Sequence, residues 1–147
     1  MPLVIGYGNP LRSDDGIGPR VAEAVQGWQH SDWQAIACHQ LLPELAPELA
    51  RTELALFVDA VDGGDEPGVE MRPLCPEAGD DSQTHHLDPA ALLHLTRELY
   101  GASPTAYWLL VPGHCWDWGE KLSPRAEEGL SQCLWMLESW QEELARA

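Results

Sequence analysis

The sequence predicts an α/β domain, a three-layer α-β-α sandwich around a mostly parallel five-stranded sheet with one short edge strand that can run antiparallel. Short apolar runs of strand length alternate along the chain with stretches whose apolar residues recur at helical spacing. One run, residues 54–61, is apolar except for Asp59, which is typical of a strand buried on both faces of a parallel sheet. Right-handed crossovers would place helices on both faces of that sheet.

The size and charge of the chain limit the classes of function. Its 147 residues fit one domain, residues 1–147, and its formal net charge of −16 argues against binding to nucleic acid or to an anionic membrane surface. The four cysteines are widely spaced, which suits reduced thiols better than a zinc knuckle. Because no signal segment or long apolar run is evident, we expect a cytoplasmic protein without membrane contact, and a monomer because no heptad seam calls for a dimer.

The first half of the chain predicts two strand and helix pairs before the central strand. A short buried strand begins at Leu3, and after a turn with two glycines a helix starts near Ile17. Residues 33–38 have strand length. Residues 43–50 predict a short helix whose prolines are tolerated near a helix start, where backbone N–H groups lack intrahelical partners. The central strand, residues 54–61, follows.

The second half predicts an edge strand, a helix, a strand and a last helix. Residues 69–72 alternate like a half-exposed strand, which we expect Pro73 to stop and which we place at a sheet edge. An aspartate and a proline predict a helix start at residue 89, and a glycine ends that helix at residue 101. Residues 106–111 predict the last strand, and a serine and proline pair starts a terminal amphipathic helix.

Acidic and imidazole side chains follow several of the predicted strands. Asp15 follows the first strand, Asp59 lies near the end of the third, and His85 and His86 adjoin the start of a helix. Because ligands bind at the carboxyl ends of strands in open α/β sheets, we expect these groups to converge there. Two carboxylates and one of the two imidazoles suit a divalent metal such as zinc, nickel or iron. Asp14 is interpreted as the cap of the following helix.

Dinucleotide binding at the first turn and nucleophilic catalysis by a cysteine fit the sequence less well than a metal site. Gly6 and Gly8 could open a dinucleotide fingerprint, but Leu11 replaces the third glycine and the adjacent carboxylates would repel a pyrophosphate. Cys38 and Cys115 each neighbour a histidine, His39 and His114, and could act as nucleophiles, although buried inert thiols are the more general case.

Two tryptophans stand in a loop where large rings are not required for a core. Trp116 and Trp118 flank Asp117 after the last predicted strand. One interpretation is a patch that recognises a peptide, and the other is a loop clamped onto its own sheet. Both remain open from the sequence.

Four motifs resemble those of the nickel-iron hydrogenase maturation endopeptidases. Residues 6–18 are similar to the amino-terminal signature of that family, residues 57–60 to its second motif, residues 84–87 to its histidine motif, and residues 122–124 to a recurrent helix start. The resemblance spans nearly the whole chain. Residues 39–45 resemble most closely the branch that processes bidirectional, NAD-linked hydrogenases.

The resemblance implies an endopeptidase that removes the carboxyl-terminal extension of the hydrogenase large-subunit precursor after nickel insertion. It implies that Asp15, Asp59 and His85 contact nickel supplied by the substrate, although other divalent metals can occupy the site, and that Asp15 or Asp59 acts as the general base. Many relatives carry glutamate where this chain has Asp15, which shortens the reach of the carboxylate here.

The resemblance also bears on substrate recognition and leaves two other classes of function to be tested. His39 and Gln40 occupy a segment that other branches use differently, and with Trp116 and Trp118 they are candidates for substrate recognition. The alternatives are a generic divalent-metal hydrolase of a small amide or ester, which would hold its own metal, and a non-enzymatic nickel-binding maturation factor.

Overall fold

The sheet has five strands in the order β2-β1-β3-β5-β4, and only the pairing of β4 with β5 is antiparallel. This computed structural model describes residues 1–29, 31–63, 68–78 and 87–146. The predicted mostly parallel sheet with an antiparallel edge strand is confirmed. In chain order the elements are β1 (Leu3–Tyr7), α1 (Ile17–Gln26), β2 (Gln34–Cys38), α2 (Ala46–Ala50), β3 (Leu54–Asp62), β4 (Glu70–Leu74), α3 (Pro89–Tyr100), β5 (Thr105–Gly113) and α4 (Pro124–Arg146).

The two faces of the sheet are covered by different pairs of helices. Helices α1 and α4 contact each other, and they pack on a core cluster that includes Val4, Val58 and Leu109. Helices α2 and α3 contact each other on the other face, which has a second cluster around Ile5 and Phe57. Since neighbouring side chains of a strand point to opposite faces, every second residue of β1 and β3 belongs to the same cluster.

Helix α1 lies directly against the sheet because two glycines allow the close approach. A Cβ atom on Gly18 would lie 2.5 Å from the carbonyl oxygen of Tyr7 and 2.6 Å from that of Val58. A Cβ atom on Gly6 would lie 1.8 Å from the carbonyl oxygen of Gly18. The amino-terminal end of α1 is therefore held at the carboxyl ends of β1 and β3, beside the predicted site.

Two predicted strand ends are wrong, and both involve proline. Strand β4 continues through Pro73 to Leu74, because β5 is its only partner among the described strands and an edge strand tolerates a missing N–H. Strand β5 continues through Pro112 to Gly113, because its pairing with β3 extends beyond the last residue that pairs with β4, Leu110. Among the described residues, no helix is long and apolar enough to cross a membrane.

Candidate active site at the carboxyl ends of the strands

Asp15 stands between the end of β1 and the start of α1, in a single 3-10 turn over Ser13–Gly16. Its carboxylate oxygen Oδ2 accepts a hydrogen bond of 2.7 Å from the backbone N–H of Asn9. The turn requires glycine at position 8, because Gly8 has a φ of +144° and a Cβ atom there would lie 2.1 Å from the carbonyl oxygen of Asp15. The glycine-rich turn therefore fixes the position of a half-buried carboxylate at the sheet edge.

Asp59 lies on β3, where it pairs with Leu110 of β5. Its pKa is raised from 3.8 to about 6, first because burial disfavours the charged form and also because the negative charge of Asp15 is close. Hydrogen bonds from the Tyr7 side chain and from the backbone N–H of Ala60 act in the opposite direction. The structure thus brings the two predicted carboxylates, Asp15 and Asp59, near enough to influence each other.

Tyr7, the last residue of β1, is an aromatic residue that interacts with Asp59. Burial raises the pKa of the Tyr7 hydroxyl well above its ordinary value, and the charge of Asp59 and a hydrogen bond to Asp59 raise it further. The charge of Asp88, at the start of α3, has a smaller effect in the same direction. Sequence reasoning missed Tyr7, although strand alternation from Ile5 places it on the same face as Asp59.

Asp14 does not cap α1, so that prediction is wrong. The amino-terminal residue of α1 has no side-chain cap, and Asp14 is fully buried beneath the loop that follows β5. Its carboxylate accepts four hydrogen bonds, from the backbone N–H groups of His114, Cys115 and Ser123 and from the Ser123 hydroxyl, at 2.7 to 2.9 Å. Burial alone would raise the pKa of Asp14, but these hydrogen bonds lower it below its ordinary value.

The loop of residues 114–119, here called the tryptophan loop, is bound along the segment that carries Asp15. Ser13 has a φ of 51°, which non-glycine residues rarely adopt, and its N–H and hydroxyl donate to the carbonyl oxygens of Gly119 and Asp117 at 2.8 and 2.7 Å. The backbone N–H of Gly119 donates in turn to Leu11 at 2.8 Å. These bonds, with those of Asp14, attach the loop to the site.

The two tryptophans of the loop have different surroundings. Trp116 is partly buried against the α1 and α4 core, and its ring contacts Gly113, so it clamps the loop onto its own sheet. Trp118 is 72% exposed, and the guanidinium of Arg12 lies 4.8 Å from its ring centroid. Of these two tryptophans, Trp118 therefore offers the exposed aromatic surface, which leaves it as the candidate for contact with a partner.

The remaining candidates lie after β2 or outside the described residues. His39 and Gln40 are exposed, and the end of β2 adjoins the first turn through a 3.1 Å hydrogen bond from the N–H of Gly8 to the carbonyl of Cys38. His85 and His86 lie outside the described residues. Within the described part of the chain, no three His, Cys, Asp or Glu side chains form a group that could hold a metal ion.

The cysteine alternative gains no support from the environment of the thiols. Burial raises the pKa of Cys38, which lowers the population of its reactive thiolate at neutral pH. The Cys115 sulfur contacts a carboxylate oxygen of Asp117 at 3.9 Å. An acidic neighbour is not the electropositive group that activates a cysteine nucleophile.

The comparisons with known proteins give structural relatives. The sequence matches no protein-family model and no curated protein. The fold is similar to the [NiFe] hydrogenase maturation protease HycI from Thermococcus kodakarensis, with a TM-score of 0.76 and 21% identity over 96% of this chain and 92% of that chain. It is also similar to the hydrogenase maturating endopeptidase HybD from E. coli, with a TM-score of 0.75 and 20% identity over 97% and 92% of the two chains.

A third solved structure, a hydrogenase 2 maturation peptidase from a Thaumarchaeota archaeon, has a TM-score of 0.67 and 20% identity over 92% of this chain and 94% of its own. At such identities the likeness establishes the fold. These three proteins are named as hydrogenase maturation proteases or peptidases, the class of protein whose motifs the sequence resembles.

Proposed function

We propose that this chain is an endopeptidase that removes the carboxyl-terminal extension of a [NiFe] hydrogenase large-subunit precursor after nickel insertion. The observation that carries the proposal is the pair of carboxylates, Asp15 and Asp59, at the carboxyl ends of the strands in a fold similar to maturation proteases. A buried carboxylate beside another negative charge is an unfavourable arrangement for stability alone. Such an arrangement is typical of a functional site.

The proposed contacts to the nickel of the precursor come from Asp15, Asp59 and His85. Two carboxylates and an imidazole suit a divalent metal of this type, and two of the three groups lie together. The start of α3 supports His85 as the third. Leu87, the second residue after His85, packs against the same core cluster as Tyr7, and the charge of Asp88 affects the Tyr7 hydroxyl.

In the proposed mechanism the chain positions the scissile amide and moves a proton. Nickel in the substrate marks a completed precursor and polarises the carbonyl or a bound water as a Lewis acid. Asp59, or Asp15, accepts the proton of the attacking water and returns it to the leaving amine as the C–N bond breaks. With a pKa of about 6, Asp59 is mainly charged at neutral pH, yet it is a stronger base than an ordinary aspartate.

The surroundings of the carboxylates supply the proposed contacts to the precursor. Trp118 is exposed beside Arg12 on one side of the first turn, and His39 and Gln40 are exposed after β2 on the other. Helix α1 and the tryptophan loop hold both sides in place. An extended peptide could contact both groups while its cleavage point lies at Asp15 and Asp59.

The proposal is tested by incubating the purified chain with nickel-loaded and nickel-free precursor and measuring the intact mass of the precursor. The precursor of a bidirectional NAD-linked hydrogenase is the first choice, because residues 39–45 resemble that branch. We expect loss of the extension only from the nickel-loaded form, with Asp15→Ala inactive and Asp32→Asn, at an exposed position, fully active. Equal cleavage of both forms would remove nickel recognition from the mechanism.

Two other outcomes would replace the proposed function. Stoichiometric zinc or manganese in the purified chain, with hydrolysis of small amides or esters, would indicate a generic metal hydrolase. Nickel-dependent binding of the precursor without any change of its mass under every metal condition would indicate a non-enzymatic maturation factor. Metal analysis and native mass measurement of the complex distinguish the two.

A further inference from the structure

We propose that Asp14 is a positioning residue for Asp15, and that Ser123 acts with it. The buried carboxylate of Asp14 binds the tryptophan loop and the start of α4 to the turn that carries Asp15. The inference rests on the proposed function for the role of Asp15. Residues 122–124, which include Ser123, gain a role that the proposed function does not give them.

The carboxylate of Asp14 is fully buried, and its hydrogen-bond donors come from two separate segments. The backbone N–H groups of His114 and Cys115, in the tryptophan loop, donate to Oδ2 at 2.7 and 2.9 Å. The backbone N–H of Ser123 donates to Oδ1 and its hydroxyl donates to Oδ2, both at 2.7 Å. An ionised carboxylate only accepts hydrogen bonds and has about four lone-pair positions, so it can take all of these donors, which the amide of an asparagine cannot.

Ser123 joins Asp14 to the first turn of α4. Its hydroxyl donates to the Asp14 carboxylate and accepts a 3.2 Å hydrogen bond from the backbone N–H of Ala126. The same hydroxyl is thus the amino-terminal cap of α4 and a donor to the buried carboxylate. A serine or a threonine can fill both roles, whereas an aspartate cap would bring a second negative charge against Asp14.

The turn that carries Asp15 depends on this attachment for its shape. Ser13 has a φ of 51°, a conformation that a non-glycine residue keeps only where the surrounding contacts hold it. The 3-10 turn Ser13–Gly16 has no side-chain cap of its own. The backbone N–H of Asp14 donates to the carbonyl oxygen of Cys115 at 3.0 Å, so the main chain and the side chain of Asp14 are both bound to the loop. The loop and α4 therefore hold the turn in a conformation that its own backbone disfavours.

The consequence for Asp15 follows from the single peptide bond that joins it to Asp14. On its other side, the Asp15 carboxylate accepts the 2.7 Å hydrogen bond from the backbone N–H of Asn9. Asp15 is therefore fixed between Asn9 and Asp14. Weakening the attachment of Asp14 would let the turn relax and the Asp15 carboxylate move away from Asn9, so fewer molecules would present that carboxylate in the productive position.

The first test compares Ser123→Ala with Thr96→Val, since each variant loses a side-chain hydroxyl that donates a hydrogen bond. Thr96 lies on α3, where its hydroxyl donates to the carbonyl oxygen of Leu92 at 2.8 Å. For cleavage of nickel-loaded precursor, we expect Ser123→Ala to lower kcat about 10-fold and to leave KM within about threefold. Ser123→Thr keeps the hydroxyl and should retain at least about half of the kcat of the parent, and Thr96→Val should leave kcat unchanged.

Two results of this comparison would overturn the proposal. One is a Ser123→Ala enzyme with the kcat of the parent. The other is an equal loss of kcat in Thr96→Val, because general destabilisation would then explain the effect.

The second test requires no cleavage and therefore separates this inference from the proposed function. Amide hydrogen exchange of the whole chain, measured by NMR, follows the N–H of Asn9, whose hydrogen bond to Asp15 opens when the turn relaxes. We expect Ser123→Ala to raise the exchange rate of this N–H at least about 10-fold, and Thr96→Val to leave it within about threefold of the parent. An unchanged rate in Ser123→Ala would overturn the positioning role even if the parent chain cleaves the precursor. A raised rate in Ser123→Ala, with no cleavage by the parent, would retain the positioning of Asp15 and reject the proposed function.

Discussion

Replacing Asp59 with asparagine should stabilise the protein at neutral pH while removing its proposed activity. The folded protein raises the pKa of Asp59 from 3.8 to about 6, so folding opposes the charged form of this group. At about 1.36 kcal/mol for each pH unit, the difference corresponds to roughly 3 kcal/mol above pH 6. We expect asparagine to recover part of this, about 1 to 2 kcal/mol, because the amide accepts fewer hydrogen bonds than the carboxylate.

The pH dependence has a definite sign. Between about pH 4 and pH 6 the folded state binds more protons at Asp59 than the unfolded state, so this group lowers the stability as the pH rises through that range. The stability difference between Asp59→Asn and the parent should therefore be smallest below pH 4, grow to pH 6 and stay constant above it. Groups that do not interact with Asp59 titrate alike in both proteins, so their effects cancel in the difference.

The assay is urea unfolding followed by circular dichroism at several pH values between about 3.5 and about 7.5. This range includes both pKa values of Asp59, 3.8 in the unfolded chain and about 6 in the folded protein. Asp32→Asn serves as the control, because Asp32 is exposed in the loop before β2. Its stability difference from the parent should stay within about 0.5 kcal/mol at every pH. An Asp59→Asn protein that is less stable than the parent at pH 7.5 would refute the assignment of Asp59 as a destabilising buried charge.

The other predictions concern the elements that hold the site. Asp14→Asn replaces a carboxylate that accepts four hydrogen bonds and should lower the free energy of unfolding by about 2 to 4 kcal/mol. Because the pKa of Asp14 is lowered in the folded protein, this difference should persist above pH 4 and shrink as the pH falls through that lowered pKa, which urea unfolding can follow. Gly18→Ala places a Cβ atom 2.5 Å from a backbone oxygen of β1 and should destabilise the protein by at least about 2 kcal/mol, whereas Gly27→Ala, with its nearest contact at 3.4 Å, should cost less than about 1 kcal/mol. Equal thermal midpoints for the two glycine variants would contradict the close packing of α1. Trp118→Ala should raise KM for the precursor with a stability change below about 1 kcal/mol, and Trp116→Ala should lower stability by about 3 kcal/mol; unchanged KM in Trp118→Ala would remove that residue from substrate recognition.

Local signals in the sequence were sufficient to predict the order of the helices and strands and the bounds of α3. Asp88 accepts a 2.7 Å hydrogen bond from the N–H of Ala91, and Gly101 ends the helix with a φ of 79°, as the capping residues predict. Capping depends on residues within a few positions of each other, so a sequence displays it directly. The continuous apolar run of β3 likewise predicts a central strand, which β1 and β5 flank.

The role of Asp14 could not be predicted from local signals. Its partners are His114, Cys115 and Ser123, which lie 100 or more residues away along the chain. A carboxylate next to a helix start suggests a cap, and only the folded chain shows that the tryptophan loop and the start of α4 supply its donors. The extension of β4 through Pro73 could not be predicted for the same reason. The cost of a proline in a strand depends on which strands lie beside it, and those neighbours are distant in the sequence.

The candidate site was predictable where it depends on topology and unpredictable where it depends on side-chain contacts. Parallel strands bring Asp15 and Asp59 to one edge, and the charge of Asp15 affects Asp59 as that convergence implies. The contribution of His85 stays a prediction, since it lies outside the described residues. Tyr7 was missed because a tyrosine at a strand end has many possible roles, and its contact with Asp59 appears only when the register of β1 and β3 is known.

The most direct test of the proposed mechanism is the intact mass of nickel-loaded precursor after incubation with the parent chain and with Asp59→Asn, each shown to be folded by circular dichroism. We predict that the parent removes the carboxyl-terminal extension and that Asp59→Asn leaves the precursor at its full mass, although the variant is the more stable protein at neutral pH. Cleavage by Asp59→Asn at the rate of the parent would contradict the central claim that this buried carboxylate takes part in the reaction.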